Sequence, residues 1–371
     1  MFSFDRRLIL YINWELLACF FTLFVVGVLN LYSASSIRLE EGTTFASFYQ
    51  RQMLWGGIGL IMMLCVMAFD YRKFKNLAWF LYITVLVLLA LVPIMGKTVY
   101  GAQRWLSLGF MNLQPSELAK LSVLILGAYV LSKYSETLGW RNFIAILLIA
   151  IIPCAFIITQ PDLGTSINII LVLGGMILFY GIKGYVLKVC FAITPLLIAF
   201  MWFVGMKDYQ RQRVLTFLNP GDDPRGDGYH IMQSQITIGS GQMWGKGFFE
   251  GTQSQLRFLP EKHSDFAMAV FAEEWGFVGC VALICLYCLF LLSIRRTVVK
   301  AKDRFGSLLC VGVFFYFFWQ IVINMGMVLG LMPVVGIPLP FMSYGGSSML
   351  VNCFLLGIVL NVSMRRFMFK G

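Results

Sequence analysis

The sequence is poor in charge, since only 13% of its 371 residues are Asp, Glu, Lys or Arg. Soluble domains carry about 25% charged residues, so this composition, with 59% hydrophobic residues, excludes a soluble fold. Histidine is almost absent: His230 and His263 are the only two, and with Asp265 they form a weak pattern for a metal site. The polar stretch 207–265 has no cysteine, and all nine cysteines fall within or beside apolar runs, so no disulfide framework is indicated.

A nucleotide-binding loop is also missing. The glycine-rich segment 239–247 contains Lys246, but a P-loop needs a glycine five positions before its Gly-Lys pair and a Ser or Thr after it. Here Ser240 and Gly247 occupy those positions, so the segment is typical of a turn-rich hinge. The net charge of +11 is explained by membrane topology and affinity for anionic lipid, and it does not indicate nucleic-acid binding.

Ten apolar runs approach or reach the length that a helix needs to cross a hydrocarbon core of about 30 Å. The alternate short loops on one side hold 17 Lys and Arg residues and those on the other side hold 4. Because basic residues in short loops stay cytoplasmic, both termini are predicted to be cytoplasmic. The sequence predicts an all-α polytopic membrane protein, a single domain over 1–371, with one large extracytoplasmic loop (207–265) between spans 7 and 8. The ten predicted spans are 15–34, 53–69, 77–95, 116–132, 143–159, 165–182, 187–206, 266–293, 307–330 and 347–364.

An acid immediately precedes the eighth predicted span. Asp265 follows Pro260 and two charged residues, and the run 266–293 after it is apolar apart from Glu273 and Glu274. A carboxylate where a span meets water can do proton chemistry on a substrate held in a lipid leaflet, although a helix N-cap is the structural alternative. On a helix running through both residues, Glu273 lies roughly 80° around from Asp265, so Glu273 rather than Glu274 is expected to share its cavity.

Proline and acid residues mark three helix starts on the outer side, at 114–117, 160–162 and 260–261. Each fits an ordinary helix N-terminus, and together their free N–H groups would also favour a phosphate. Glu117 and Lys120 lie at i and i+3 near the outer end of the fourth span. Charges in that position either form a structural ion pair or line a wet cavity.

Residues 208–218 in the long loop predict a short amphipathic helix. Arg211 and Arg213 would face water or lipid headgroups while the apolar residues lie in the interface. The two arginines are either phosphate contacts or parts of a loop strut without substrate contact. Asn168 and Asn324, within spans, are interpreted as interhelical hydrogen-bonding residues.

These motifs also resemble those of the SEDS (shape, elongation, division, sporulation) family of membrane proteins. They occur in the right order from residue 101 to 348, and the sequences at 251–255 and 333–340 are more similar to the rod-shape branch than to the division branch. The motifs are Gly-Ala-Gln-Arg-Trp-Leu at 101–106, Gln-Pro-Ser-Glu-Leu-Ala-Lys at 114–120, Gln-Pro-Asp-Leu-Gly-Thr-Ser at 160–166, Asp-Tyr-Gln-Arg-Gln-Arg at 208–213, Gly-Thr-Gln-Ser-Gln at 251–255, Phe-Leu-Pro-Glu at 258–261, Asp265 with Ala-Glu-Glu at 272–274, and Pro-Phe-Met-Ser-Tyr-Gly-Gly-Ser at 340–347.

The resemblance implies a peptidoglycan glycosyltransferase of the bacterial cytoplasmic (inner) membrane, which polymerises lipid II on the outer face for cell elongation and rod shape. The donor would be the growing glycan on undecaprenyl pyrophosphate and the acceptor a new lipid II, so no nucleotide is needed. Asp265 would be the catalytic base for the acceptor hydroxyl. The predicted substrate-binding residues are Arg104, Glu117, Lys120, Asp162, Arg211, Arg213, Lys262, Ser264 and Glu273.

The departing pyrophosphate needs positive charge, and a Mg²⁺ or Mn²⁺ ion there would be compatible with the chemistry. The resemblance implies a class B penicillin-binding protein, a transpeptidase with one span, as partner, together with other elongation-complex proteins and membrane lipids. The cationic candidates for the pyrophosphate are Arg104, Lys120, Arg213 and Lys262.

Two other classes of function are compatible with the composition. A lipid II flippase would line a translocation path with Glu117, Lys120 and Glu273. The concentration of polar residues at the outer face, without an internal repeat, favours the enzyme over the transporter. A scaffold that recruits cell-wall enzymes predicts nothing special at Asp265.

Overall fold

In a computed structural model, the chain forms ten helices that are long and apolar enough to span a membrane, which confirms the prediction of a multi-pass helical membrane protein. The structure describes residues 10–35, 48–99, 102–107, 112–223, 226–255 and 263–366. Helices α8 to α10 below belong to the connection between the seventh and eighth spans. The helices are α1 (Trp14–Ser35), α2 (Phe48–Ala68), α3 (Phe74–Met95), α4 (Pro115–Lys133), α5 (Trp140–Thr159), α6 (Leu163–Tyr180), α7 (Gly184–Phe200), α8 (Asp208–Leu218), α9 (Asp227–Ser240), α10 (Thr252–Gln255), α11 (Ala267–Lys300), α12 (Arg304–Val328) and α13 (Gly346–Met364).

Helices α4, α12 and α13 form the centre of the bundle. Between 67% and 78% of each apolar stretch is buried within the protein, compared with 6% for α7 with its extension Met201–Gly205. The central helices carry the buried polar side chains Glu117, Lys120 and Asn324. This placement follows from the bilayer as solvent, because polar groups at membrane depth must be shielded from lipid.

A small antiparallel sheet lies between α3 and α4. Its strands are β1 (Lys97–Val99), β2 (Ala102–Ser107) and β3 (Asn112–Leu113), in the order β1-β2-β3. The sequence does not predict this sheet, because strands of three, six and two residues are too short to show an alternating pattern. The sheet matters for the site because β2 carries Arg104.

The connection between α7 and α11 is bound to α11 at a break in that helix. Gly276 there has φ 63° and ψ −165°, a conformation that glycine adopts without steric cost. A helix interrupted in this way leaves backbone groups that need partners. The turn at 241–247 supplies them through four hydrogen bonds: Phe277 N to Gln242 O at 2.9 Å, Val278 N to Met243 O at 3.1 Å, Lys246 N to Glu273 O at 3.0 Å and Gly247 N to Glu274 O at 3.1 Å.

Candidate active site

One cavity of about 260 Å³ brings together polar side chains from five separate parts of the chain. It lies at the end of the bundle where α11 begins, and the backbone of 334–336 forms one of its walls. Its polar side chains come from β2, the turn before α6, α8, α9 and the turn before α11, and they are Arg104, Asp162, Arg213, His230 and Asp265.

Asp265 lies in a turn ahead of α11 and is not the cap of that helix. The N-cap position belongs to Phe266, whose side chain makes no capping bond, so the N-cap alternative for Asp265 is wrong. The backbone carbonyl of Asp265 accepts a hydrogen bond from Asn324 Nδ2 at 3.0 Å. A Cβ atom added to Gly336 would lie 3.3 Å from Asp265 Oδ2. The half-buried carboxylate is therefore placed at the cavity wall, where it can accept a proton from a bound group.

Two guanidinium groups line the same cavity and are held by backbone carbonyls. Arg213 Nη1 donates to Val334 O at 3.3 Å. Arg104 donates from Nε to Gln160 O at 2.9 Å and from Nη2 to Pro161 O. A guanidinium has five N–H donors, so these two bonds leave the other N–H groups of Arg104 for a ligand. Planar guanidinium groups suit the oxygens of a phosphate.

Asp162 also lines the cavity, but its carboxylate is used within the protein. As the N-cap of α6, its Oδ1 accepts from Thr165 N at 3.2 Å. Its Oδ2 accepts from Thr165 Oγ1 at 2.9 Å, from Ser116 Oγ at 3.0 Å and from Gln114 Nε2 at 3.1 Å. These bonds tie the start of α6 to the start of α4 and place a negative charge at the N-terminus of α6. This helix start is therefore already occupied by the protein's own anion.

Glu117 and Lys120 form a buried ion pair with a distance of 2.6 Å between Lys120 Nζ and Glu117 Oε1. Within the described part of the chain, neither residue lines the Asp265 cavity. Glu117 instead lines an apolar cavity of about 330 Å³ between α2, α3, α4 and α13. Gln114 lines that cavity too, and its bond to Asp162 makes the two cavities neighbours.

The expectation that Glu273 shares the cavity of Asp265 is wrong. Glu273 is fully buried, and its Oε1 accepts from Lys246 Nζ at 2.7 Å and from Gln253 N at 2.8 Å. The angle predicted from a helical wheel does not apply, because α11 begins at Ala267 and Asp265 lies in the preceding turn. The Glu273 carboxylate therefore fastens the α7–α11 connection to α11.

Two other predicted binding residues, Arg211 and Ser264, do not line the cavity in the described structure. Arg211 donates from Nε to Trp202 O and from Nη2 to Phe203 O, both at 2.9 Å, and so binds the last turn of the seventh span. Ser264 is half-buried in the turn before α11. Lys262 lies outside the described residues.

His230 is a cavity residue that the sequence indicated only as a weak metal ligand. Its ring stacks on that of Phe266, with 6.1 Å between centroids, and its buried Nδ1 has no hydrogen-bond partner in the described ranges. In the sequence, the one indication that His230 belongs to the site is its position in the loop that leads to Asp265. Over the same ranges, no group of three or more His, Cys, Asp or Glu residues is arranged to hold a metal ion.

Comparisons with known sequences identify relatives over nearly the whole chain. The profile of the cell cycle protein family FTSW_RODA_SPOVE matches residues 13–367. The peptidoglycan glycosyltransferase MrdB of Escherichia coli K12 is 38% identical over 346 residues, which cover 93% of each chain. The peptidoglycan glycosyltransferase RodA of Treponema pallidum is 31% identical over an alignment of 426 positions, gaps included, which covers 95% of this chain and 98% of the relative.

Solved structures give the same result. A chain from a peptidoglycan synthase complex that coordinates polymerization and crosslinking has a TM-score of 0.82 at 31% identity, covering 96% of this chain and 98% of the other. The crystal structure of Thermus thermophilus RodA has a TM-score of 0.70 at 27% identity, with coverage of 96% and 98%. The predicted SEDS resemblance is thereby confirmed. This chain belongs to the FtsW, RodA and SpoVE family of cell cycle proteins and is a peptidoglycan glycosyltransferase.

Proposed function

We propose that this protein polymerises lipid II into glycan strands on the outer face of the bacterial cytoplasmic membrane and serves cell elongation and rod shape. The observation that carries the proposal is the cavity shared by Asp265, Arg104 and Arg213. In the proposed orientation both termini are cytoplasmic and α8 to α10 lie outside, which the distribution of basic residues supports. The site then lies where no nucleotide is available, so the substrate must carry its own leaving group.

The proposed reaction uses one base and two cations. The 4-hydroxyl of an incoming lipid II attacks the anomeric carbon of the growing glycan, and Asp265 accepts the hydroxyl proton. The bond between that carbon and the phosphate oxygen breaks, and its electron pair leaves with undecaprenyl pyrophosphate. Arg104 and Arg213 stabilise the charge on the pyrophosphate. His230, beside them, offers a hydrogen bond to the sugar or phosphate from the same wall.

The apolar cavity beside the site suits the polyprenyl tail of the substrate. Its walls come from α2, α3, α4 and α13 and are mostly aliphatic, with Gln114 and Glu117 among the few polar residues. The Gln114–Asp162 bond lies between the tail cavity and the Asp265 cavity. A lipid-linked substrate placed across this bond would have its tail in the apolar cavity and its pyrophosphate near Arg104.

The proposed reaction can also include a Mg²⁺ or Mn²⁺ ion at the pyrophosphate. When bound, this ion would neutralise part of the phosphate charge. Its ligands would be mainly phosphate oxygens and water. Asp162 would not contribute, because its oxygens already accept hydrogen bonds from α4 and α6.

The proposed partner is a class B penicillin-binding protein, a transpeptidase with one span, acting with other elongation-complex proteins. The similarity to a chain from a peptidoglycan synthase complex supports this proposal. Polymerisation and crosslinking would then occur in one assembly, because a glycan strand leaving the Asp265 cavity is the substrate of the transpeptidase.

The function is tested with the purified full chain in vesicles that contain labelled lipid II, with and without the transpeptidase. We expect glycan strands with the wild type and strand formation slowed by about 10²–10⁴-fold with Asp265→Asn. A lipid II flippase would instead move labelled lipid between leaflets without forming strands, and that outcome would replace the enzyme by the transporter.

Arg213→Lys should raise the lipid II concentration needed for half-maximal rate by about 10- to 100-fold. Lysine keeps the charge but cannot form the two-pronged hydrogen bond to phosphate, and losing one charge-assisted bond costs about 1.5–3 kcal/mol. The measurement is the initial rate of polymerisation against lipid II concentration.

Arg211→Lys is the matched control, because Arg211 lies in the same helix and binds the carbonyls of Trp202 and Phe203 instead of lining the cavity. Its rate curve should overlay the wild-type curve. If the Arg213→Lys curve also overlays it, the loop arginines are structural and the pyrophosphate is bound by other groups.

A further inference from the structure

Asn324 connects the Asp265 turn to a second part of the chain. It lies in α12, is fully buried, and donates from Nδ2 to Asp265 O at 3.0 Å and to Ile337 O at 2.8 Å. Both partners are carbonyl oxygens, so only the amide NH₂ can serve them, and these two bonds use both of its hydrogens. The orientation of the side chain is therefore fixed by its partners.

The second part is the segment 333–339 between α12 and α13, which has no regular secondary structure. Its prolines Pro333 and Pro338 disfavour a helix. Val334 O accepts the bond from Arg213, and Gly336, at φ 70°, lies beside Asp265 Oδ2. The segment thus contacts both the proposed base and a proposed phosphate-binding cation.

We infer that Asn324 is a positioning residue for glycosyl transfer, which sets the place of the Asp265 carboxylate relative to Arg213 through the segment 333–339. Asn324 does not line the cavity in the described structure, so its effect passes through the backbone. The inference rests on the proposed role of Asp265 as base. A base must lie within hydrogen-bond reach of the proton that it removes, and a displacement of about 1 Å can lower the rate by about 100-fold.

The test compares Asn324→Leu with Asn361→Leu in the purified full chain. Asn361 is the control, because it is also a fully buried asparagine that donates to two carbonyls, Val66 O and Phe69 O, far from the cavity, and its Oδ1 additionally accepts from Tyr71 N and Arg365 Nη1. We expect Asn324→Leu to lower kcat for polymerisation by about 10- to 100-fold, with KM for lipid II changed by less than about twofold. Asn361→Leu should lose at least as much thermal stability, because it removes more hydrogen bonds, but should keep the wild-type kcat.

Asn324→Asp keeps the shape of the side chain. It replaces Asn324→Leu in the test if the leucine variant does not fold. A protonated aspartic acid has one donor, so it can bond to only one of the two carbonyls, and kcat should fall between the wild-type and leucine values. Hydrogen exchange gives a readout independent of activity: amides in 263–272 should exchange faster in either Asn324 variant than in the wild type, while those of α13 should not change.

Wild-type kcat in both Asn324 variants, or unchanged exchange at 263–272, would overturn the inference. An equal loss of kcat in Asn361→Leu would also overturn it, because the effect would then be general destabilisation. These outcomes are distinct from failure of the proposed base. If Asp265→Asn remains active, the role of Asp265 is wrong; if only Asp265→Asn is inactive, the role of Asn324 alone is wrong.

Discussion

Asp265→Asn should lower the rate of glycan polymerisation by about 10²–10⁴-fold, the usual effect of removing a general acid–base group. The substitution is nearly isosteric and leaves the backbone carbonyl that accepts the bond from Asn324 unchanged. The fold is therefore expected to persist, with thermal stability close to that of the wild type. The measurement is the initial rate of strand formation from labelled lipid II by the purified variant.

Asp208→Asn provides the matched control for this substitution. Asp208 is an exposed aspartate in the same connection, and its contact with Arg211 is long, at 3.8 Å. Its variant should polymerise at the wild-type rate. Near wild-type polymerisation by Asp265→Asn would mean that another group removes the proton from the acceptor hydroxyl.

Removing one partner of the Glu117–Lys120 pair should destabilise the fold by about 3–5 kcal/mol, because an unpaired charge stays buried. The side chains are only 8% and 4% exposed, and Glu117 Oε2 has no hydrogen-bond partner in the described structure. Lys120 Nζ also lies 5.4 Å from the centre of the Tyr316 ring, which adds a cation–π contact. The double variant Glu117→Ala with Lys120→Ala removes both charges and should be more stable than either single variant.

The measurement is a double-mutant cycle of thermal or denaturant unfolding in one detergent. Activity should be low in all three variants, because α4 borders both the apolar cavity and the start of α6. If each single variant is as stable as the wild type, the two side chains do not interact in the folded protein.

The spans could be predicted from the apolar runs because the bilayer requires about 20 apolar residues in each helix. The predicted span boundaries are wrong where the first or last turns of a helix contain polar residues. Helix α2 begins at Phe48 and not at 53, since Gln52 is buried and donates to Ser343 O at 3.2 Å. Helix α11 continues from the predicted end at 293 to Lys300, because charged residues such as Arg296 extend the helix beyond its apolar part.

The site could be predicted only in part. Asp265 and Arg213 could be proposed because both lie in motifs that resemble those of the family, and the structure places both at one cavity. Glu273 could not be placed, since the start of α11 decides which face it occupies. The contact of Asn324 with Asp265 joins residues 59 positions apart, and spacing in a sequence carries no information on which faces meet at that range.

The break at Gly276 lets the surface connection bond to the backbone of α11 on both sides of the break. Before the break, Glu273 O and Glu274 O accept hydrogen bonds from the turn at 241–247, and after it Phe277 N and Val278 N donate to the same turn. Proteins open locally in cooperative units, and these four bonds place the surface connection in the same unit as the part of α11 that follows the proposed base. Anything that orders the connection thus orders the carboxylate, and loosening the connection can stop catalysis while the helical bundle stays folded.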